Sequence, residues 1–400
     1  MNILNVKKDF PVLVNHPEIT YLDSAASSLK PYCVINKINE YYTEYGVNVN
    51  RGVYKLSYQA TSEYEETREY CAKFFNSRVD EIVFTRGTSN SLNMFANMYE
   101  EFINEGDEII SSILEHHSSH LPWQRVANKK KAILKYIELD DEGRITIDNF
   151  KKVLTSRTKV VAITHVSNVM GYITPVKEII KLAHEVGAIV VLDAAQSAPH
   201  MRLDVKDLDC DIMALSAHKM LGPTGLGIMY GKKKLLDSLT PLEYGGDMID
   251  EVEKYTSTTK DTPYKFETGT PMIAEVIAFK EALKYLDNIG FDNIEKHEKA
   301  LMEYFREKAK DIPGLKIYNP SCETGLITFN LWDVHPHDVS TIFDENNVCL
   351  RSGHHCAQLI TKHLGVLGTL RASIYIYNDY HDIDKLIESI KEASVYFKEW

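Results

Sequence analysis

Asp193-Ala194-Ala195-Gln196 sets an acid three residues before an amide, and Ser216-Ala217-His218-Lys219 lines up a hydroxyl, an imidazole and an amine. Arg86-Gly87-Thr88-Ser89-Asn90 offers a glycine and two hydroxyls where a helix is expected to begin, and helix N-termini hold phosphates well. Glu115-His116-His117 and Ser167-Asn168 add further polar groups. Each has a plain structural use: Thr88 and Asp193 as caps, Lys219 as a solvated loop lysine, His116 as a surface histidine. Together they suit one chemistry. A lysine amine joins pyridoxal phosphate covalently, and a carboxylate keeps its pyridine nitrogen protonated so that the ring draws electrons. An aromatic side chain covers the ring, and donors hold the phosphate.

These groups gain force from what precedes them. Glu81–Thr85, Asp107–Ser111, Ala132–Leu139, Lys159–His165, Ala188–Asp193, Asp211–Ser216 and Gly227–Tyr230 read as strands, most of them apolar throughout. Helical patterns lie between them, at Thr88–Asn104, at Ser118–Asn128, and where Val176, Ile179, Ile180, Ala183 and Val186 recur. The alternation predicts an α/β fold with a mostly parallel central sheet flanked by helices. Such sheets bind ligands beyond the carboxyl ends of their strands, where the polar clusters fall.

The texture changes after Gly269-Thr270-Pro271. A helix carrying Val276, Phe279, Leu283 and Leu286 leads to a second one ending near Ile312. Strands follow at Leu315–Tyr318, Gly325–Leu331, Val348–Arg351 and Arg371–Tyr377, with a helix from His337 and a last helix carrying Ile383, Leu386, Ile390 and Phe397. The expected organisation is a large cofactor-binding domain over 51–270 and a smaller α+β domain over 271–400. An N-terminal segment, 1–50, with a strand at Thr20–Asp23 and a helix from Pro31, packs on the smaller one.

Composition sets the class. Of 400 residues 44% are hydrophobic and 26% charged, ordinary values for a globular chain. The net charge of −12 disfavours nucleic acid and anionic membranes, though not a local anion pocket. No apolar run is long enough to span a bilayer, the N-terminus lacks a signal-peptide core, and the six cysteines form no C-x-x-C pair. A soluble cytoplasmic protein with reduced thiols is expected. Five cysteines fall in segments that read as core or helix. Cys356 instead follows Gly353-His354-His355 in a loop between two strands, and three adjacent ligands there converge poorly on a metal ion.

The chain resembles the class V aminotransferase group of fold-type I pyridoxal phosphate enzymes, and within it the SufS-type cysteine desulfurases. The resemblance runs from Tyr21-Leu22-Asp23-Ser24-Ala25-Ala26 to Arg371-Ala372-Ser373-Ile374-Tyr375-Ile376-Tyr377-Asn378. Its sharpest blocks are Thr164-His165-Val166-Ser167-Asn168, Asp193–Gln196, Ser216–Lys219 with Gly222-Pro223-Thr224-Gly225, and Arg351-Ser352-Gly353-His354-His355-Cys356-Ala357. It implies Lys219 as the cofactor-binding lysine and proton shuttle, Asp193 on the pyridine nitrogen, Gln196 on the ring hydroxyl and His116 stacked on the ring. Thr88, Ser89, Ser216 and His218 would hold the phosphate, with Thr270 reaching in from a second subunit of a homodimer. Asn168 and Arg371 would bind the substrate carboxylate, with Arg351 a further candidate.

In that resemblance Lys219 removes the α-proton of L-cysteine and the Cys356 thiolate attacks its sulfur, leaving alanine and a persulfide. Only 19 residues separate Arg351 from Arg371, so the cysteine loop is short, and the resemblance to family members with such a loop implies a dedicated acceptor of SufU or SufE type. That acceptor would feed iron–sulfur cluster assembly. His337, in His335-Pro336-His337-Asp338, would take a zinc ligand from a docked acceptor, or simply begin a helix; no resident metal is expected. Selenocysteine lyase, or another lyase or aminotransferase of the family, is the alternative activity. The chain departs from the family at Asn50, Asp247, Met272 and Leu359, none of which touches the lysine, the acid or the thiol.

Overall fold

Seven of the apolar runs become one sheet. The structure, a computed structural model, describes residues 3–399. Strands β1 (Ile82–Thr85), β2 (Glu108–Ser112), β3 (Ile133–Ile137), β4 (Thr158–Thr164), β5 (Ile189–Asp193), β6 (Ile212–Ser216) and β7 (Gly227–Gly231) form a seven-stranded sheet in the order β1-β7-β6-β5-β4-β2-β3. Only β7 pairs antiparallel, with β1 and β6 on its two sides. The strands read as continuously apolar because both faces are covered. On β4, Val160 and Ala162 join a core with Phe95 and Trp123 of the helices α1 (Thr88–Tyr99) and α2 (His117–Lys130). Val161 and Ile163 face the opposite way into the largest core, with Ile179, Ile180 and Phe279. The expected α/β architecture is therefore the one observed.

Beyond it, β8 (Leu315–Ile317), β9 (Leu326–Leu331), β10 (Arg351–Gly353) and β11 (Thr369–Ser373) make an antiparallel sheet in the order β8-β9-β11-β10. Phe329, Leu370 and Ala372 of this sheet pack with Val339 and Phe343 and with Ile383, Leu386 and Ile390 of the last helix. Helix α3 (Ile273–Ile289) buries Val276, Phe279, Leu283 and Leu286 in the large core, against the helices Tyr32–Glu44 and Lys55–Phe75. The change of core falls inside α4 (Phe291–Ala309), where Phe291 and Ile294 belong to the large core and Leu301, Met302 and Phe305 to the small one. The N-terminal segment also divides. Val6, Phe10, Val34 and Tyr41 enter the large core, while Leu22 enters the small one and Thr20–Tyr21 pairs with Val348–Cys349.

The run read as one strand at Val348–Arg351 is two short strands serving different partners, and Arg351 starts β10 against β11. The run read as Arg371–Tyr377 ends as a strand at Ser373, and the Tyr375 N–H is taken by the side chain of Asn378 at 2.8 Å. Helix Lys55–Phe75 escapes pattern reading because a charged residue, the fully buried Arg68, sits on its inner face. The Arg68 guanidinium forks onto Glu267 at 2.6 and 2.8 Å, which anchors the segment leading to Thr270.

Candidate active site

The carboxyl ends of β4, β5 and β6 open toward β10 and β11, and the gap between the two sheets is a cavity of about 170 Å³. Thr88, Ser89, His116, Asn168, Asp193, Gln196, Ser216, His218, Lys219, Arg351, Cys356 and Arg371 all line it. Two expected residues lie elsewhere in the single chain. Thr270 lines a different cavity with Arg86, Glu243 and Met272, and His337 sits on the exposed start of the helix Pro336–Glu345, 3.1 Å from Ser352 through Nδ1.

One end of the cavity is built of donors. Gly87 adopts φ 127°, a conformation open to glycine, and so turns β1 directly into α1. The Thr88 N–H donates to Ser216 Oγ at 2.8 Å, Thr88 Oγ1 meets the same oxygen at 2.7 Å, and Ser89 Oγ meets Ser118 Oγ at 2.5 Å. The first turn of α1 and these hydroxyls together suit an anionic group. Behind them the Lys30 ammonium donates to the His218 carbonyl at 2.9 Å. Burial, then Lys219 and Lys30, push the His218 imidazole down to about 4, so it stays neutral.

The floor is electrostatically tuned. Asp193 ends β5, 4% exposed, and accepts the Ala195 N–H at 2.9 Å; burial raises its pKa. Lys219 closes the one-turn helix after β6, and burial, opposed by Asp193 and reinforced by both arginines, pulls its amine down to about 8. His116 caps α2, its Nδ1 accepting the Ser118 N–H at 3.1 Å, which puts the ring proton on Nε2. Burial, then Lys219, lowers its pKa to about 4, so the ring is neutral near pH 7. Gln196 donates through Nε2 to the Ala25 carbonyl at 2.8 Å.

The opposite wall belongs to the smaller sheet. Arg371 is 2% exposed, donates to the Asn168 carbonyl at 2.9 Å and to Asp23 Oδ1 at 3.3 Å, and leaves Nε without a protein partner. Burial lowers its pKa to about 10, with Asp23 opposing. Arg351 meets Asp23 Oδ2 at 3.1 Å, so one carboxylate steadies both guanidinium groups. Asn168 Nδ2 donates to the His355 carbonyl at 2.7 Å, and its Oδ1 is buried without a partner. Cys356 is exposed at the cavity rim.

Sequence reasoning gave no role to Asp23, Glu115 or His355. Asp23 had a signal, since it ends a strand-like run as Asp193 does. Glu115 ties the His116 turn to β4 by accepting from Ser112, Ser119 and the Thr164 N–H at 2.7, 2.8 and 3.0 Å, and burial pushes it up to about 7. His355 lines the cavity beside Cys356 and bonds Thr369 through Nε2 at 2.9 and 3.0 Å.

The arrangement fits a flat, phosphate-bearing cofactor with a basic ring nitrogen. A donor-rich end, a buried carboxylate, an amine of lowered pKa and a neutral imidazole converge on one cavity. The unpartnered Arg371 Nε and Asn168 Oδ1 await a polar ligand on the far side.

The family described as aminotransferase class-V matches residues 20–386. A "Probable cysteine desulfurase" of Halalkalibacterium halodurans is 48% identical over 402 residues, covering 99% of each chain. Another, of Staphylococcus epidermidis, is 49% identical over 98% of this chain and 97% of its own. Among solved structures, the apo cysteine desulfurase from Thermococcus onnurineus NA1 superposes with a TM-score of 0.94 at 39% identity, covering 98% of each chain. The cysteine desulfurase CsdA from Escherichia coli, in its S-sulfonic acid form, gives 0.93 at 35% identity over 99% of each.

Proposed function

The chain belongs to the class-V aminotransferase family, and from that premise we propose how its cavity works as the active site of a pyridoxal phosphate-dependent cysteine desulfurase. As such an enzyme it converts L-cysteine to L-alanine. When bound, the cofactor draws electrons from the α-carbon of the amino acid it carries, which makes the α-proton removable and the bond to sulfur breakable.

The residues divide the work as follows. Lys219, with its amine lowered to about 8, is partly uncharged near neutral pH, able to bond covalently and to take and return a proton. Asp193 would pair with the ring nitrogen and Gln196 with the ring hydroxyl, and neutral His116 would cover the ring face. Thr88, Ser89, Ser216 and His218 would hold the phosphate. Arg371, whose Nε is free, receives the substrate carboxylate with Asn168 beside it, and Arg351 shares Asp23 with it. The Cys356 thiolate attacks the substrate sulfur. A sulfur–sulfur bond forms as the carbon–sulfur bond breaks, the persulfide stays on Cys356, and protonation of the remaining carbon gives L-alanine.

The observation that carries this reading is the position of one thiol among six. Cys356 alone is exposed, and it lies in the wall of the Lys219 cavity. Burial raises the other five, Cys33 to about 11, Cys71 and Cys210 to about 12, and Cys322 and Cys349 upward as well. In Cys356→Ala, cofactor absorbance is expected to persist while turnover of L-cysteine to alanine is lost; unchanged turnover contradicts the assignment.

The functional division of the chain is part of the proposal: 51–270 supplies the cofactor cradle, 271–400 supplies Arg351, Cys356 and Arg371, and 1–50 supplies Asp23, Ala25 and Ala26. Thr270, outside the cavity of its own chain, serves the partner subunit of a homodimer. The persulfide passes to an acceptor protein of SufU or SufE type that supplies iron–sulfur assembly in the cytoplasm. Supporting the SufU side, His337 is exposed and bonded to Ser352 of the strand that leads to Cys356. Among the described residues no helix is long and apolar enough to cross a membrane.

A further inference from the structure

We propose that His117 is a positioning residue that fixes Cys356 against the cofactor site, an inference that rests on the reading of Cys356 as the sulfur acceptor. The nucleophile occupies backbone that a side chain disfavours: His355 has φ 52° and Cys356 φ 55°, two consecutive non-glycine residues in the left-handed region. Such a conformation persists only where neighbours impose it. Here one residue at the start of α2 supplies much of the restraint. The His117 backbone N–H donates to the Cys356 carbonyl at 2.8 Å, and the His117 Nε2 accepts the Gln358 N–H at 3.1 Å. Asn168 adds its bond to the His355 carbonyl at 2.7 Å.

The second of these bonds assigns the His117 tautomer. A backbone N–H can only donate, so Nε2 presents its lone pair and the ring proton sits on Nδ1. The imidazole thus holds the chain two residues past the nucleophile, next to the bond that its own backbone makes. His117 also directly follows His116, the residue placed over the cofactor ring, at the N-terminus of α2. Two adjacent histidines therefore tie both reacting parties to one helix end: the ring plane through His116, the attacking sulfur through His117. Cys356 is far away along the chain, so its distance from the ring is set by these bonds and not by local backbone.

The test uses the holoenzyme, comparing His117→Ala, which removes the Nε2 acceptor but keeps the backbone bond, with His117→Gln, whose side-chain carbonyl can accept the same N–H. The rate of Cys356 persulfide formation in a single turnover with L-cysteine is followed by mass spectrometry, alongside KM, cofactor absorbance and thermal midpoint. Loss of one hydrogen bond predicts a rate roughly five- to tenfold lower in His117→Ala, with KM and absorbance unchanged, and recovery of most of the rate in His117→Gln. A wild-type rate in His117→Ala overturns the proposal. So does a slow His117→Gln whose thermal midpoint and absorbance match wild type, because the imidazole would then act by another route. Cys356→Ala separates the two levels: alanine formation surviving there removes the nucleophile assignment itself, whereas its loss there beside a normal His117→Ala removes only the role given to His117.

Discussion

Lys219 should capture its cofactor at a pH where an ordinary lysine could not. With an amine lowered from 10.5 to about 8, roughly one molecule in ten carries the neutral form at pH 7. At the ordinary value the neutral share would be about 0.0003, some 300-fold less. Burial causes the shift and Asp193 opposes it, so the balance is testable by removing the acid. The assay is stopped-flow absorbance of covalent pyridoxal phosphate uptake by cofactor-free protein across pH 6 to 10. The logarithm of the rate is expected to rise with pH at unit slope and to bend near 8. In Asp193→Asn the bend is expected lower still, because the larger of the two attractions that favour the charged amine, Asp193 ahead of Cys356, is gone. A rate that climbs without bending to pH 10 refutes the buried-amine account, and an upward move of the bend in Asp193→Asn refutes the role given to the acid.

Acid should weaken the fold through histidines kept neutral by burial. His165, 6% exposed and lowered to about 4, binds a proton in the unfolded chain below about 6.5 but not in the folded one. Stability is therefore intact above pH 6.5 and falls as pH drops toward 4, by up to about 3 kcal/mol from this group; urea unfolding should show the slope, and His165→Gln should flatten it. Arg371→Lys is expected to raise KM for L-cysteine about tenfold or more with cofactor absorbance unchanged, since a point charge cannot replace a planar fork; an unaltered KM would move the carboxylate site elsewhere. Glu267→Gln removes one of the two carboxylates on the buried Arg68 guanidinium, leaving Glu65 at 2.9 Å from Nε, and should cost roughly 1–3 kcal/mol in urea unfolding. A loss below 1 kcal/mol would show that Glu65 suffices as its partner.

The site was legible wherever its residues sit directly after a strand that is buried on both faces. Asp193, Ser216 and Asn168 announce themselves because an unbroken apolar run stops and a polar group follows. Cys356 stood out by the glycine and histidines before it, though nothing in those residue types marks two successive left-handed conformations. What stayed hidden depends on contacts between distant segments. Asp23 matters because β11 brings Arg371 to it, and His117 matters because the cysteine loop folds back on α2. Helix Lys55–Phe75 was obscured by Arg68, a charge whose partner Glu267 lies 199 positions away. The split of Val348–Arg351 follows from two sheets competing for adjacent residues, which no periodicity within the run reveals.

The most direct test of the account follows both products of one turnover. Holoenzyme given L-cysteine without an acceptor or reductant should yield alanine in equal amount to enzyme, with one added sulfur atom mapped by mass spectrometry to Cys356 and to no other cysteine. Alanine formed at an undiminished rate by Cys356→Ala, or sulfur found on a different thiol, would contradict it.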